Sequence, residues 1–213
     1  ASYGIWRWQR PDRPFALPLR TARGAPCMCL PALYPTTHPG LYLSKHLRHQ
    51  PERLGLRLEP GGWVVVDDLL AACARHGMAT DRAELTELVR RDGKQRYSFD
   101  EDERRIRANQ GHTVEVDLQL EPLPPPERLY QGTAERSVEA IAASGLLRMA
   151  RHHVHLSADV ETARQMGVWH GRPVVLEIAA ARMGRDSYPF YRSDNGVWLT
   201  DAVPPEFLRV PAE

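Results

Sequence analysis

Cysteine, lysine, long apolar runs and net charge are all scarce in this chain, and each scarcity excludes something. Cys27, Cys29 and Cys73 are its three cysteines. So odd and sparse a set does not build the paired framework of a small secreted domain, and it favours a reducing compartment; the expected location is the cytoplasm. No stretch approaches the roughly 18 apolar residues that a bilayer crossing needs. Residues 1–40 hold no apolar leader core, so neither an anchor nor a secretory signal is expected. The 28 Lys+Arg against 27 Asp+Glu leave a net charge of +1, too little for binding a polyanion through bulk electrostatics. If such a partner exists, a few placed cations must recognise it. Lys45 and Lys94 are the only lysines. The remaining basic side chains are arginine, whose planar fork grips phosphate in a bidentate way that ammonium cannot, although a GC-rich genome gives the same bias. No GxGxxG follows a strand pattern, so a doubly wound nucleotide fold has no support.

What is present is ordinary for a globular protein: 213 residues, 42% hydrophobic and 26% charged, enough for one large domain or two small lobes. Residues 1–40 carry seven of the 18 prolines, five arginines and one acid, Asp12, and read as an irregular extension. Cys27 and Cys29 with His38 lack the usual zinc spacing.

From Leu41 an apolar period begins. Leu43 and Leu47 lie four apart on a helix that Gln50-Pro51 stops. Gly61-Gly62 turns into a strand at 63–66. Asp67-Asp68 are expected to cap a helix ended by Gly77, and Thr80-Asp81 to open another bearing Leu85, Leu88 and Val89. Strands at 95–99 and 105–109 flank an acidic hairpin turn, and residues 113–120 alternate as a further strand. The Pro-rich segment 121–126 reads as a stiff linker. After it come a strand at 129–130, a helix at 135–143, a strand at 153–156, a helix at 160–166, an apolar strand at 173–178, and strands at 188–191 and 196–200.

The most informative stretch is Met149-Ala150-Arg151-His152-His153-Val154-His155-Leu156-Ser157. Strand alternation puts His153 and His155 on one face, with Arg151 joining them if the strand starts early. A guanidinium and two imidazoles there fit an anion site, a metal site or a hydrogen-bonding pocket, and the segment alone does not choose. Arg48 and His49 close the first helix and either enter a cleft together or simply complement the helix dipole. Arg96 and Ser98 lie on the open face of a strand whose Tyr97 and Phe99 point inward. Gly132, between Gln131 and Thr133, lets backbone approach a ligand.

Taken together and in order, Leu-Arg-His-x-Pro, Lys-x-Arg-Tyr-Ser-Phe, Ile-Arg-Ala-x-Gln-Gly-His, Leu-Tyr-x-Gly-Thr, Arg-x-His-Val-His-Leu-Ser and Asn-Gly-Val-Trp-Leu-Thr resemble the RNA 2'-phosphotransferase family, also called tRNA 2'-phosphotransferases. The likeness runs collinearly from about residue 43 to 210. It implies an α+β protein: a winged-helix RNA-binding lobe at 41–120, then the 121–126 linker and an NAD-binding, β-rich lobe of ADP-ribosyltransferase fold at 127–213. It also implies an enzyme that transfers an internal RNA 2'-phosphate to NAD+, through an RNA 2'-phospho-ADP-ribose intermediate. The products would be 2'-hydroxyl RNA, nicotinamide and ADP-ribose 1'',2''-cyclic phosphate. By the same resemblance Arg48, His49, Arg96 and Arg151 are the catalytic set, and Gln131, Gly132, Thr133, His153, His155 and Ser157 hold NAD+. No metal is implied, the RNA is tRNA-like or of another kind, and the protein is expected to be a monomer. Two departures stand out. Gln131 replaces a histidine, and the Pro-rich lead-in to Leu41 predicts a shortened first helix. The alternatives are an ADP-ribosyltransferase that caps phosphorylated nucleic-acid ends, and a winged-helix module that binds RNA without catalysis.

Overall fold

Proline is tolerated in a helix at its first turn, where its missing N–H would have had no partner, and Pro39 uses that licence. The computed structural model describes residues 38–168 and 171–210, all within one compact unit. Its first helix, α1 (Pro39–Arg48), starts before Leu41, because His38 caps it by accepting the Gly40 N–H at 3.2 Å. The predicted shortening to Leu41 is therefore corrected. The rest of the 1–40 extension, with Cys27 and Cys29, lies outside the described residues.

There follow β1 (Trp63–Val65), α2 (Val66–Arg75), α3 (Arg82–Arg91), β2 (Tyr97–Phe99) and β3 (Arg105–Ala108). The three strands form one antiparallel sheet in the order β1-β3-β2. Helix α3 begins as its sequence foretold: the Asp81 side chain accepts the Glu84 N–H at 2.8 Å, and Glu84 accepts that of Asp81 at 3.2 Å, a reciprocal capping box. Helix α2 does not. Val65 occupies its cap position with no side-chain bond, and Asp67 and Asp68 fall in the first turn, where they complement the positive end of the dipole. Leu43, Leu47, Leu54, Val64, Leu69, Cys73, Leu85, Tyr97 and Ile106 close a first core under the sheet.

Residues 113–126 form no ladder, contrary to the predicted strand at 113–120. Burial still follows the expected alternation, with Leu118 inside and Glu115, Asp117 and Gln119 outside. The segment is tied down by isolated bonds instead, Gly61 N–H to Asp117 carbonyl at 2.7 Å and Leu123 N–H to Phe190 carbonyl at 2.7 Å. A left-handed turn at Gln119 (φ 53°) breaks its extended path.

The second half holds β4 (Leu129–Ala134), α4 (Val138–Ser144), β5 (Leu146–Leu147), β6 (Val154–Leu156), α5 (Val160–Val168), β7 (Pro173–Ile178), α6 (Ala180–Arg185), β8 (Tyr191–Arg192), β9 (Trp198–Thr200), β10 (Ala202–Val203) and β11 (Leu208–Arg209). Small antiparallel sheets form in the orders β11-β7-β4, β6-β9-β8 and β10-β5. The first two touch at a single bridge, Tyr130 to Ser157, beyond which β4 and β6 part. Leu129, Val154, Leu156, Leu176, Ile178, Met183, Phe190, Trp198 and Phe207 make the second core. The strand expected at 188–191 is confined to Tyr191–Arg192; Tyr188 instead bonds back to Met183 at the end of α6. The chain is thus mixed α and β with small antiparallel sheets. Among the described residues no helix is long and apolar enough to cross a membrane.

Candidate active site

Helix α1 ends against the segment that follows β3, and this junction gathers the catalytic residues expected from sequence. Arg48 is the last residue of α1, and His49 caps it. The Arg48 carbonyl accepts the Thr113 N–H at 2.9 Å. Its guanidinium turns inward, with Nη2 donating to the Arg96 carbonyl at 3.4 Å and Nε buried without a hydrogen-bond partner among the described residues. His49 stays at the surface, its Nδ1 3.0 Å from the Thr113 hydroxyl. Thr113 therefore holds both residues, one through its backbone and one through its side chain. Sequence alone read it as the end of the polar segment 106–113 and the start of a strand, with no role of its own.

The cations act on one another electrostatically. Burial lowers the Arg48 pKa, and the positive charges of Arg96 and Arg151 lower it further. His49 is held below the usual imidazole value by partial burial and by Arg48 and Arg151. His155 is pushed down to about 3, mainly by burial and then by Arg151, His153 and Arg48. His112 also falls to about 3, through burial and then Arg48, His152 and His49. These imidazoles are neutral at pH 7. The Nε2 of His155 and both ring nitrogens of His112 are buried with no hydrogen-bond partner among the described residues. Arg151 lies exposed in the bend before β6, which begins only at Val154, so it reaches the site from a loop rather than from the strand face. The two halves meet here directly. His152 N–H donates to the His112 carbonyl at 3.3 Å, Asn195 Nδ2 to the Lys94 carbonyl at 3.1 Å, and Arg107 pairs with Asp194 at 2.6 Å while stacked over Trp63.

The six residues expected to hold NAD+ divide between two faces. Direct pairing puts Ser157 opposite Tyr130, so Ser157, His155 and His153 share a side with Gly132. Gln131 and Thr133 alternate to the other side, that of the core residue Leu129. Gln131 reaches only the neighbouring Gly132 carbonyl, at 3.4 Å. His153 leans on the Tyr191 ring, centroids 5.5 Å apart, with Asp201 4.0 Å from its Nε2. Gly132 meets a packing demand besides the ligand approach expected of it. A Cβ there would sit 1.7 Å from the Ala163 carbonyl oxygen, so its bareness serves the packing of α5 on β4.

A half-buried guanidinium with two more acting near it, among imidazoles kept neutral, makes a cationic cluster suited to a multiply charged anion. The sequence comparisons agree in kind. Residues 37–202 match the model of "RNA 2'-phosphotransferase, Tpt1 / KptA family". The chain is 60% identical over 169 residues, 79% of its length and 93% of the relative's, to a protein of Trichormus variabilis named "Probable RNA 2'-phosphotransferase". Proteins of the same name from Nostoc punctiforme (56% over 168 residues, covering 79% of this chain and 93% of the relative) and Streptomyces griseus (55% over 174, covering 78% and 92%) match similarly. The chain belongs to the RNA 2'-phosphotransferase family.

Proposed function

We propose that this protein removes an internal 2'-phosphate from RNA by transferring it to NAD+. The observation that carries the reading is the gathering of Arg48, Arg96 and Arg151, with Arg48 half-buried and its Nε uncommitted among the described residues. Like charges repel, and three guanidiniums are drawn together to advantage when an anion sits among them. A phosphate monoester, with about −1.5 to −2 charge at neutral pH, is such an anion.

The chemistry proposed has two steps. A 2'-phosphate oxygen attacks C1'' of the nicotinamide ribose, and the C–N bond to nicotinamide breaks. The neighbouring 2''-hydroxyl oxygen then attacks phosphorus, and the bond to the RNA 2'-oxygen breaks, leaving ADP-ribose 1'',2''-cyclic phosphate. One proton leaves the 2''-hydroxyl and one arrives on the RNA oxygen. His49 suits this exchange because it is neutral and exposed, and because the Thr113 hydroxyl can donate to or accept from Nδ1 as the opposite nitrogen changes role. The three guanidiniums would stabilise charge on the equatorial oxygens. On the NAD+ side, the uncommitted Nε2 of His155 and the parting of β4 from β6 after the Tyr130–Ser157 bridge fit a polar ligand entering between them. Gln131 cannot ionise where the family has histidine, but its amide both donates and accepts.

In this reading the element order α1-β1-α2-α3-β2-β3 is a winged-helix lobe that presents RNA, and the second half is an ADP-ribosyltransferase-like lobe that presents NAD+. The test is nicotinamide release from NAD+ in the presence of matched RNAs. Release that requires the 2'-phosphate supports the proposal; release that is equal with 2'-hydroxyl RNA, or absent with both, refutes it.

A further inference from the structure

Asp92 sits at the C-terminal cap of α3, directly after Arg90 and Arg91. That end of a helix carries partial negative charge and disfavours an acid, so the helix gains nothing from a carboxylate here. The side chain is nonetheless only 8% exposed. Its Oδ2 accepts the Arg96 N–H at 2.7 Å, and its Oδ1 takes an ion pair with Arg96 Nη1. One carboxylate thus grips the same residue at both its backbone and its side chain.

The turn between them is braced from three directions. Gln95 adopts a left-handed conformation (φ 44°) that a non-glycine residue holds only under constraint. Asn109, itself buried, donates from Nδ2 to the Gln95 carbonyl at 2.8 Å and from its backbone N–H to the Arg96 carbonyl at 2.8 Å. Arg48 adds its Nη2 to that same carbonyl, and Asn195 donates to the Lys94 carbonyl. Among the described residues, Nε and Nη2 of Arg96 make no hydrogen bond.

The geometry points to Asp92 as the positioning residue of Arg96: it holds the guanidinium against repulsion from Arg48 and leaves two of its donors for the phosphate. This rests on the 2'-phosphate reading above. The Asp92–Arg96 pair is four residues apart in sequence, a spacing whose exposed examples contribute little; the difference here is burial and attachment at both ends.

The experiment measures binding of the full chain, without NAD+, to an RNA bearing one internal 2'-phosphate and to the same RNA with a 2'-hydroxyl. Asp92→Asn keeps an acceptor for the Arg96 N–H and loses the ion pair. Its preference for phosphorylated RNA should fall about tenfold or more, with affinity for the hydroxyl RNA unchanged. In an Arg96→Met background the same change should cost nothing further, a non-additivity that general damage to the fold would not give. Arg96→Lys reads the same device without touching Asp92: one ammonium cannot both answer the carboxylate and fork onto phosphate, so preference should again be lost. Wild-type preference in Asp92→Asn or in Arg96→Lys, or an additive loss in the double variant, overturns the inference alone. No preference in the wild type defeats the 2'-phosphate reading, and this inference with it.

Discussion

Arg48→Met separates function from stability more cleanly than any other single change, because the two are opposed at this residue. The wild-type guanidinium is buried at Nε without a partner and faces the like charges of Arg96 and Arg151. Two unit charges roughly 4 Å apart repel by about 1 kcal/mol in water and by more where the medium is less polar. Relief from two cationic neighbours is therefore on the order of 1–2 kcal/mol. Methionine keeps most of the aliphatic stem, so little packing is lost. One bond, to the Arg96 carbonyl at 3.4 Å, disappears; at that length it offsets less than about 1 kcal/mol. The melting temperature should hold or rise, since for a chain of this size about 1 kcal/mol corresponds to 2–4 °C. Phosphate recognition should collapse. A charge-assisted bond is worth about 1.5–3 kcal/mol, so affinity for 2'-phosphorylated RNA should drop roughly tenfold to a hundredfold, and turnover about 10²–10³-fold if the lost donor stabilises the transition state. Calorimetry beside a nicotinamide-release assay reads both. A variant melting several degrees lower, or one keeping turnover within twofold of wild type, refutes the reasoning.

Thr113→Val removes the partner of His49 Nδ1. A neutral bond of about 0.5–1.5 kcal/mol predicts a threefold to tenfold loss in the step needing proton transfer, read in single-turnover kinetics as RNA carrying ADP-ribose accumulates; no change in that step removes Thr113 from the account. The buried histidines predict an acid-sensitive fold. His112 and His155 titrate near 6.5 when unfolded but near 3 when folded. The unfolded chain thus binds more protons between those values, and stability is full above about pH 6.5 and lost as pH falls towards 3, by up to about 1.4 kcal/mol per pH unit for each group. Denaturant melts at pH 7 and 5 should show that loss, and a His112→Gln variant with an undiminished slope counts against it. Gly132→Ala should destabilise by about 3 kcal/mol or more, because its methyl group meets the Ala163 carbonyl; a variant that folds normally but binds NAD+ poorly would instead restore the ligand-approach explanation of Gly132.

How much the residues disclosed in advance depended on whether their signal was local. The helix opening at Thr80-Asp81 was legible because a capping box is written within four residues, and the β7 segment because an apolar run has no other good use. Residues 113–120 show the opposite. Their alternation foretold which side chains are buried, but alternation reports faces rather than ladders, and no neighbouring strand pairs with them. Helix α6, Ala180–Arg185, escaped notice because one and a half turns cannot display a period, and β10 and β11 are two-residue pairings set by tertiary contact. At the site, Arg48, His49, Arg96 and Arg151 were singled out by motif order, and their charges do act on one another. Of the residues around them, Asn109, His112 and Thr113 fall in the polar segment 106–113 beside the Gly111 turn, but their contacts with residues far along the chain were not legible; Asp92 carries no sequence signal of its own, since it acts through a turn whose left-handed geometry the sequence does not announce. Gly132 meets a packing demand that its sequence did not show: a bare Cα looks alike whether it admits a ligand or a helix.

The central claim is that phosphorus leaves the RNA for NAD+. The most direct measurement places a radiolabel in a single internal 2'-phosphate, incubates that RNA with the full chain and NAD+, and follows the label chromatographically. The label should leave the RNA and appear as ADP-ribose 1'',2''-cyclic phosphate, with one nicotinamide released per phosphate moved. Label that stays on the RNA as an unmodified 2'-phosphate, or leaves as inorganic phosphate whether or not NAD+ is present, contradicts it.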